Sequence, residues 1–415
     1  MTVEQICAAA QRASRVLAGL TRTRKDDALL AVADALARRS AEILAENEED
    51  LRIARKERME AALIDRLRLD EDRLADVAVA VRTLAALPDP VGQLTDGWRL
   101  DNGVELRKVR VPLGVVAVIY EARPDVTVDA ACLCIKTGNA VILRGGSAAL
   151  HSNRILSEVV QGALLEVGLP REAVSYLTPD RRELDELVQQ RRYVDLVIPR
   201  GGEQLKDYLL EHSRVPVIYA AGGNCHVYVD ASADIGKAVP IIVNAKCQRP
   251  GVCNAAETLL VHRDAAAALL PRVAEELGRR DVELVVDKAA AEIIGDPTLK
   301  RANKTHYETE FLALKLAVRV VDSLDEALDH IATYGTRHSE AIITEDLHSA
   351  RRFTAEVDAA CVYVNASTRF TDGGQFGLGA EMGISTQKLH VRGPIALQEL
   401  TCVKYELWGD GQVRP

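Results

Sequence analysis

The first ninety residues place hydrophobic side chains at intervals of three and four, with arginine and glutamate between them. The members of the clearest apolar stripe are Leu29, Leu30, Val32, Ala33 and Leu36. This spacing is typical of amphipathic helices. The pattern therefore predicts helices over residues 2–87, and Pro88 and Pro90 are expected to end the helical block.

A segment of strand-like character follows at residues 98–111. Two short runs flank Asp101-Asn102-Gly103, and Asn-Gly between such runs is a strong hairpin signal. The hairpin separates the helical block from the residues after 111, where strand-like and helical patterns alternate. The tail at 391–415 contains a further strand-like run. Because exposed strand edges need pairing, we expect hairpin and tail to form a small β arm that joins subunits into a homodimer or homotetramer.

From residue 112 onward, short β-branched apolar runs alternate with helical patterns. The first series of runs is 113–119, 139–144, 173–177, 194–198 and 215–219. The second series is 257–261, 282–286, 316–321, 340–344 and 361–365. Such alternation predicts parallel sheets covered by helices on both faces. The expected fold class is α/β, with two Rossmann-like, doubly wound domains and the small β arm.

Composition narrows the classes of function. The 415 residues carry a net charge of −9 with both signs interspersed, so no basic face indicates a nucleic-acid partner. No stretch approaches the roughly 18 apolar residues of a membrane span. The N-terminal residues are not expected to act as a secretory signal, because they lack a basic start followed by an apolar run. The eight cysteines form no CxxC pair, which argues against a metal site. A reduced, cytoplasmic location is the expectation.

Cys253 is the strongest candidate for chemistry. It follows a Pro-Gly turn and precedes a strand-like run, at the junction between the two α/β series. A thiol in such a place can act as an exposed nucleophile. Its position alone is equally compatible with a buried structural cysteine. The surrounding motifs are therefore needed to distinguish a nucleophile from a structural residue.

Five segments, in a fixed order along the chain, supply that context. They are Ile119–Pro124, Lys136–Gly146, Arg200–Gln204, Gln248–Asn254 and Phe376–Ser385, the last followed by His390–Pro394. In these segments the chain resembles the aldehyde dehydrogenase superfamily over nearly its whole length. Within the superfamily it is most similar to the branch that reduces an acyl phosphate, L-glutamyl 5-phosphate.

The resemblance implies a division of the chain. An NADPH-binding domain would take residues 1–97 and 112–222, and a catalytic domain with the nucleophile Cys253 would take 223–390. Residues 98–111 and 391–415 would form the oligomerisation hairpin and tail.

The resemblance also implies a reaction: NADPH-dependent reduction of L-glutamyl 5-phosphate to L-glutamate 5-semialdehyde and phosphate, through a thioester on Cys253. This is the second step of proline biosynthesis, and a transient contact with the glutamate 5-kinase that makes the substrate would accompany it. Two alternatives stay open. One is a hydrolytic semialdehyde dehydrogenase, and the other is a catalytically inactive NADP-binding protein.

The turn after the run at 139–144 is the first candidate for cofactor binding. Members of the superfamily usually have Lys-Pro-Ser-Glu here, whereas this chain has Arg144, Gly145, Gly146 and Ser147. A carboxylate at the last position would repel a 2′-phosphate, while arginine and serine would accept it. The resemblance therefore indicates NADPH rather than NADH.

Two further places complete the predicted cofactor site. Arg200, Gly201 and Gly202 lie between a strand and a helix, where glycines let the backbone approach a pyrophosphate at a helix N-terminus. Glu310 matches the glutamate with which the superfamily positions the nicotinamide ribose.

Two departures from the hydrolytic members concern the chemistry. Their general-base glutamate is replaced by Ala220, so attack of water on a thioester should be slow. Their oxyanion asparagine is replaced by Ala122 or Arg123, depending on where a one-residue gap falls. The Arg123 guanidinium would bind a γ-phosphate or an oxyanion, or else pair with a nearby carboxylate.

The amino-acid end of the substrate needs its own contacts. Asn365, which ends the run at 361–365, matches an asparagine near the active site of the superfamily. The glycine-rich segment 377–383 precedes a helix-like stretch, and its backbone N–H groups, including that of Gly379, would take the α-carboxylate. Glu381 would take the ammonium group. The alternative is that these glycines only turn the chain.

Overall fold

The computed structural model describes residues 1–219 and 222–414 and divides into two compact units. The first unit consists of Met1–Tyr219, Gly377–Gly383 and Ile395–Pro415. The second consists of Ala220–Phe376 and Ile384–Pro394. The sequence placed all of 223–390 in one catalytic domain, whereas these contacts assign Gly377–Gly383 to the first unit.

Nine α-helices lie within the described part of the first unit, and the predicted helical block at 2–87 is confirmed by the first five. They are α1 (Val3–Ala18), α2 (Arg22–Arg38), α3 (Ser40–Lys56), α4 (Ala61–Leu67), α5 (Glu71–Ala86), α6 (Asp125–Lys136), α7 (Leu150–Glu166), α8 (Arg181–Leu187) and α9 (Glu203–His212). In α1, Thr2 and Gln5 form a reciprocal capping box at the N-terminus, which satisfies backbone donors that the helix itself leaves unpaired.

The first unit contains two sheets. Their strands are β1 (Leu94–Arg99), β2 (Glu105–Pro112), β3 (Val115–Tyr120), β4 (Ala140–Arg144), β5 (Val174–Leu177), β6 (Leu196–Arg200) and β16 (Thr401–Trp408). A parallel sheet has the order β5-β4-β3-β6. All six residues of β3 are buried, as expected for a strand covered by helices on both faces.

The strand predicted at 215–219 is wrong. Only an isolated parallel bridge between Val197 and Val217 forms there. Pro216 accepts a hydrogen bond from the Val197 N–H, but a proline has no N–H to return to a ladder. The pairing therefore stops after one bridge.

The arm is an antiparallel sheet of order β1-β2-β16. The predicted hairpin and the predicted strand in the tail are both confirmed, although β1 begins at Leu94, earlier than expected. Its turn closes with the Leu100 N–H donating to the Val104 carbonyl at 2.8 Å. Its exposed large apolar side chains are Leu94, Trp98, Val403, Tyr405, Leu407 and Trp408.

The second unit is built on a seven-stranded parallel sheet of order β10-β9-β11-β8-β7-β12-β13. Its strands are β7 (Cys225–Val229), β8 (Ala256–His262), β9 (Glu283–Val286), β10 (Lys300–Arg301), β11 (Lys315–Val321), β12 (Ser339–Ile343) and β13 (Cys361–Val364). A small antiparallel pair joins β14 (Ile384–Ser385) to β15 (Gly393–Pro394). The helices are α10 (Ile235–Cys247), α11 (Arg263–Gly278), α12 (Lys288–Ile294), α13 (Lys304–Glu308), α14 (Leu324–Tyr334) and α15 (Leu347–Glu356).

The predicted fold class is confirmed, because both units carry parallel sheets flanked by helices. The sequence missed β7, a strand inside the larger sheet. The reason is His226, whose backbone N–H and ring Nδ1 both contact the Glu340 carboxylate, at 2.7 and 3.0 Å, in the core. A buried polar pair replaces the apolar run that marks the other strands. Within residues 1–219 and 222–414, no helix is long and apolar enough to cross a membrane.

Candidate active site

Cys253 lies in a turn immediately before β8 and is partly exposed. Its backbone touches Gly223, which precedes the neighbouring strand β7. A Cβ atom on Gly223 would lie 1.5 Å from the Cys253 carbonyl oxygen, so only glycine fits. The Cys225 thiol also contacts that oxygen at 3.1 Å. Two adjacent strands thus hold the backbone of the cysteine at their amino ends.

Glu310 belongs to the same neighbourhood. Its Oε1 atom accepts a hydrogen bond from the Gly223 N–H at 2.7 Å. The loop that carries it is anchored by Glu257, which accepts from the Leu312 N–H at 3.1 Å. The structure therefore brings Glu310 and Cys253 together through Gly223.

Glu257 is itself one half of a buried ion pair. Lys246 Nζ lies 2.5 Å from Glu257 Oε2, and both side chains have no exposed surface. Burial raises the pKa of Glu257 to about 7, and burial lowers the pKa of Lys246. Both shifts have one cause, the loss of solvation by the charged forms. The pair fixes the strand that follows Cys253.

Sequence reasoning missed the residues that hold Asn254, directly after the nucleophile. The Thr368 hydroxyl donates to the Asn254 carbonyl at 2.6 Å, and the Asn254 Nδ2 donates to the Thr371 carbonyl at 2.8 Å. The Arg369 guanidinium donates to Asn254 Oδ1 and, at 2.8 Å, to Gln248 Oε1. These partners lie more than a hundred residues apart in sequence, and no local pattern marks them.

The structure does not bring Asn365 to this place. Asn365 follows β13, at the carboxyl edge of the parallel sheet, whereas Cys253 precedes β8 at the amino edge. Its amide oxygen accepts from the Thr344 N–H at 2.9 Å, and its Nδ2 donates to the Thr344 carbonyl at 2.8 Å. With φ of 54°, which asparagine tolerates better than most residues, it ends the strand. We therefore leave it out of the proposed substrate site.

In the first unit, the turn predicted to bind the cofactor follows β4. A Cβ on Gly145 would lie 2.0 Å from Asn153 Nδ2, so the backbone is packed where glycine is needed. Gly146 precedes a short 3-10 helix at Ser147–Ala149, and Ser147 is exposed. Arg144 donates to the Pro179 carbonyl at 2.6 Å, while its buried Nε has no partner in the structure. Burial lowers the pKa of Arg144.

The second turn follows β6. Gly202 caps α9 without a side-chain hydrogen bond, and nothing lies within 4 Å of a Cβ built on it. A Cβ on Gly201 would instead meet Leu205 and Glu121 at 2.8 and 2.9 Å. The helix N-terminus is therefore open at Gly202, as an anion site requires. Arg200 packs beneath Gly383, where a Cβ would lie 2.6 Å from its Nη1.

The remaining predicted substrate residues also lie in the first unit. Arg123 follows β3, and its backbone N–H donates to the Glu121 carbonyl at 2.5 Å. Gly379 has φ of 84° and packs on Leu87 so closely that a Cβ would lie 2.2 Å from its Cδ1. No helix begins in the described segment around Glu381, so the expected helix-like stretch is wrong. This geometry favours the alternative that these glycines turn the chain.

Ala220, which replaces the general-base glutamate of the hydrolytic members, lies outside the described residues. In residues 1–219 and 222–414, no group of three or more histidine, cysteine, aspartate or glutamate side chains could hold a metal ion.

Comparisons with known proteins identify the family of this chain. Residues 1–291 match the model of the aldehyde dehydrogenase family. A protein of Moorella thermoacetica named gamma-glutamyl phosphate reductase is 52% identical over 406 residues, with 98% of this chain and 97% of that protein covered. Its namesake in Geobacter metallireducens is 49% identical over 413 residues, covering 99% and 98%.

Solved structures give the same result. The crystal structure of gamma-glutamyl phosphate reductase from Thermotoga maritima matches with a TM-score of 0.97 and 44% identity over 100% of both chains. An engineered glycolyl-CoA reductase with bound NADP+ shares the fold, with a TM-score of 0.70 and 17% identity over 97% of this chain and 96% of its own. The chain therefore belongs to the aldehyde dehydrogenase family and, within it, to the gamma-glutamyl phosphate reductases.

Proposed function

We propose that this protein reduces L-glutamyl 5-phosphate to L-glutamate 5-semialdehyde with NADPH, in the second step of proline biosynthesis. Full-length relatives with about half of their residues identical carry the name of this activity. The main supporting observation is the position of Cys253. Gly223 and the Cys225 thiol contact its backbone, while the residue itself is partly exposed.

The chemistry assigned to Cys253 is acyl transfer. Its thiolate attacks the acyl carbon, a C–S bond forms, and the C–O bond to phosphate breaks with its electron pair leaving on the phosphate, which takes up a proton from solvent. The backbone N–H of Cys253 would stabilise the oxyanion. NADPH, when bound, supplies the hydride for the thioester carbon. The C–S bond then breaks, which releases the aldehyde and restores the thiolate.

The residues of the first unit fit a dinucleotide with a 2′-phosphate. Ser147 is exposed and uncharged, and Arg144 keeps an unpartnered Nε beside it in sequence. The open N-terminus of α9 at Gly202 suits the pyrophosphate.

Glu310, with one oxygen bound to the Gly223 N–H, is the residue of the second unit that we assign to the nicotinamide ribose. Arg123 remains our candidate for the phosphate or the oxyanion, and Glu381 for the substrate ammonium group.

The decisive experiment is NADP+ reduction by glutamate 5-semialdehyde, with and without inorganic phosphate. We expect phosphate to be required, NADP+ to be preferred over NAD+, and the Cys253→Ala variant to lose activity by at least about 1,000-fold. Cys402→Ala, which changes an exposed thiol on β16, serves as the control. Phosphate-independent turnover would indicate the hydrolytic enzyme, and NADP+ binding without turnover would indicate the inactive protein.

We also propose that the arm joins subunits into a homodimer or homotetramer, because its sheet exposes Leu94, Tyr405 and Leu407 by 55–61%. Deletion of residues 99–110 should yield monomers in light scattering. An oligomer that survives the deletion, or a monomeric wild type, would refute this role. Transient contact with the glutamate 5-kinase and a cytoplasmic location remain predictions from the sequence.

A further inference from the structure

The side chain of Arg369 makes two hydrogen bonds to the segment that contains the nucleophile. Its Nη1 donates to Asn254 Oδ1 and its Nε donates to Gln248 Oε1 at 2.8 Å. Asn254 directly follows Cys253, and Gln248 directly precedes Arg249. The guanidinium of Arg369 is therefore fixed across the turn that presents the thiol.

This guanidinium is not neutralised by its surroundings. In residues 1–219 and 222–414, neither Arg369 nor Arg249 forms an ion pair with a carboxylate. Burial, followed by the positive charge of Arg249, lowers the pKa of Arg369, while Cys253 and Asp372 act in the opposite direction. Arg369 is thus a positive group whose charge interacts with that of the Cys253 thiol.

The donors of Arg369 are only partly used. A guanidinium carries five N–H donors in a planar fork, and two are bound to amide oxygens. Among residues 1–219 and 222–414, one donor on Nη1 and both donors on Nη2 have no hydrogen-bond partner. A planar fork of this kind matches two oxygens of a phosphate.

We propose that Arg369 binds the phosphate group of the acyl phosphate beside Cys253, which leaves Arg123 as the candidate for the oxyanion. The inference rests on the proposed function. As the thiolate attacks and the C–O bond breaks, negative charge grows on the departing phosphate oxygen. A fixed guanidinium stabilises that charge in the first half-reaction and holds inorganic phosphate for attack on the thioester in reverse.

Arg369 also holds Asn254, so the test must separate phosphate binding from positioning. Kinetics in the oxidative direction give separate Michaelis constants for inorganic phosphate and for glutamate 5-semialdehyde. We expect Arg369→Gln to raise KM for phosphate by about 10- to 100-fold, as for a lost charge-assisted hydrogen bond. KM for the semialdehyde should change by less than about threefold. Arg351→Gln, an exposed arginine on α15, is the matched control.

A second measurement does not require turnover. Inorganic phosphate should slow the alkylation of Cys253 by iodoacetamide in the wild type, relative to sodium chloride at equal ionic strength, and this protection should be lost in Arg369→Gln. Lack of protection in the wild type would overturn the site. A fall in kcat with an unchanged KM for phosphate would assign Arg369 to positioning Asn254 instead. If wild-type protein shows protection but no phosphate-dependent turnover, the proposed function fails while the anion site stands.

Discussion

The two parallel sheets present their candidate residues at opposite edges. In the first unit, Arg144 and Arg200 end β4 and β6, and Arg123 follows β3, so the site lies at the carboxyl ends of the strands. This is the usual location for ligands of open α/β sheets. In the second unit, Gly223 and Cys253 precede β7 and β8, at the amino ends.

The two edges also differ in how the backbone is held. At the carboxyl edge of the first unit, Gly202 faces open space. At the amino edge of the second, the backbone of Gly223 lies against that of Cys253. An open helix N-terminus leaves room for an anion, whereas a reacting atom has to be held within a fraction of an ångström. The difference indicates that one edge is built to admit a ligand and the other to fix a nucleophile.

Alanine at each of these glycines gives the sharpest test of this contrast. Gly223→Ala places a Cβ 1.5 Å from the Cys253 carbonyl oxygen, so we expect kcat to fall by at least about 100-fold as the thiol is displaced. A Cβ at Gly202 meets no protein atom within 4 Å, so Gly202→Ala should change kcat at saturating NADPH by less than about tenfold. Steady-state kinetics with both variants measure this. Equal losses would mean that the two edges do not differ in packing.

The next test concerns the ion pair behind the nucleophile strand. Lys246→Met leaves the Glu257 carboxylate buried without its partner, which should cost about 3–5 kcal/mol in the free energy of unfolding. Lys237→Met breaks a pair with Glu345 in which the two side chains are 53% and 48% exposed, and should lower the free energy of unfolding far less than Lys246→Met does.

A double variant identifies the cause of that loss. Lys246→Met with Glu257→Gln removes both charges and keeps an acceptor for the Leu312 N–H, so denaturant unfolding should recover most of the stability. A double variant as unstable as Lys246→Met alone would show that lost packing, rather than an unpaired charge, is responsible.

Much of the fold could be predicted because its signals are local. The hairpin turn at Asp101-Asn102-Gly103 and the apolar run of β3 each fix their own conformation through nearby residues. The turn before β8 was recognisable for the same reason. A strand that depends on a distant residue could not be predicted in this way. The polar His226 in β7 is buried because it pairs with Glu340, 114 residues away.

The candidate site was harder to predict than the fold. Arg369 meets Asn254 across 115 residues, and nothing in its own neighbourhood distinguishes it from a surface arginine. Asn365 was expected near Cys253 but lies at the opposite edge of the sheet. The edge on which a residue lies depends on the direction and order of the strands, and a short motif does not specify these. Glu310 was placed near Cys253 only through resemblance, and the contact that joins them runs through the backbone of Gly223.

The smallest expected effect compares two acids, the fully buried and paired Glu257 and the partly buried Asp129. Asp129 on α6, in the first unit, has a pKa raised to about 7, chiefly by burial and then by Asp125, against the opposing pull of Arg200. Unlike Glu257, it has no lysine at hydrogen-bonding distance in the described structure. A folded pKa above the ordinary value of 3.8 means that the folded protein keeps a proton that the unfolded chain releases. Stability should therefore fall as pH rises from about 4 to about 7 and stay level above that.

The Asp129→Asn variant cannot ionise, so its stability relative to the wild type should grow across the same window. At pH 8 we expect a gain of about 2–4 kcal/mol, since each unit of pKa shift corresponds to about 1.4 kcal/mol. Near pH 4 the gain should vanish. Asp76→Asn, at an exposed position on α5, is the control for the substitution itself. Thermal unfolding of all three proteins between pH 4 and 8 measures this. A difference that is constant with pH would mean that Asp129 is already ionised in the folded protein, with Arg200 as its effective partner.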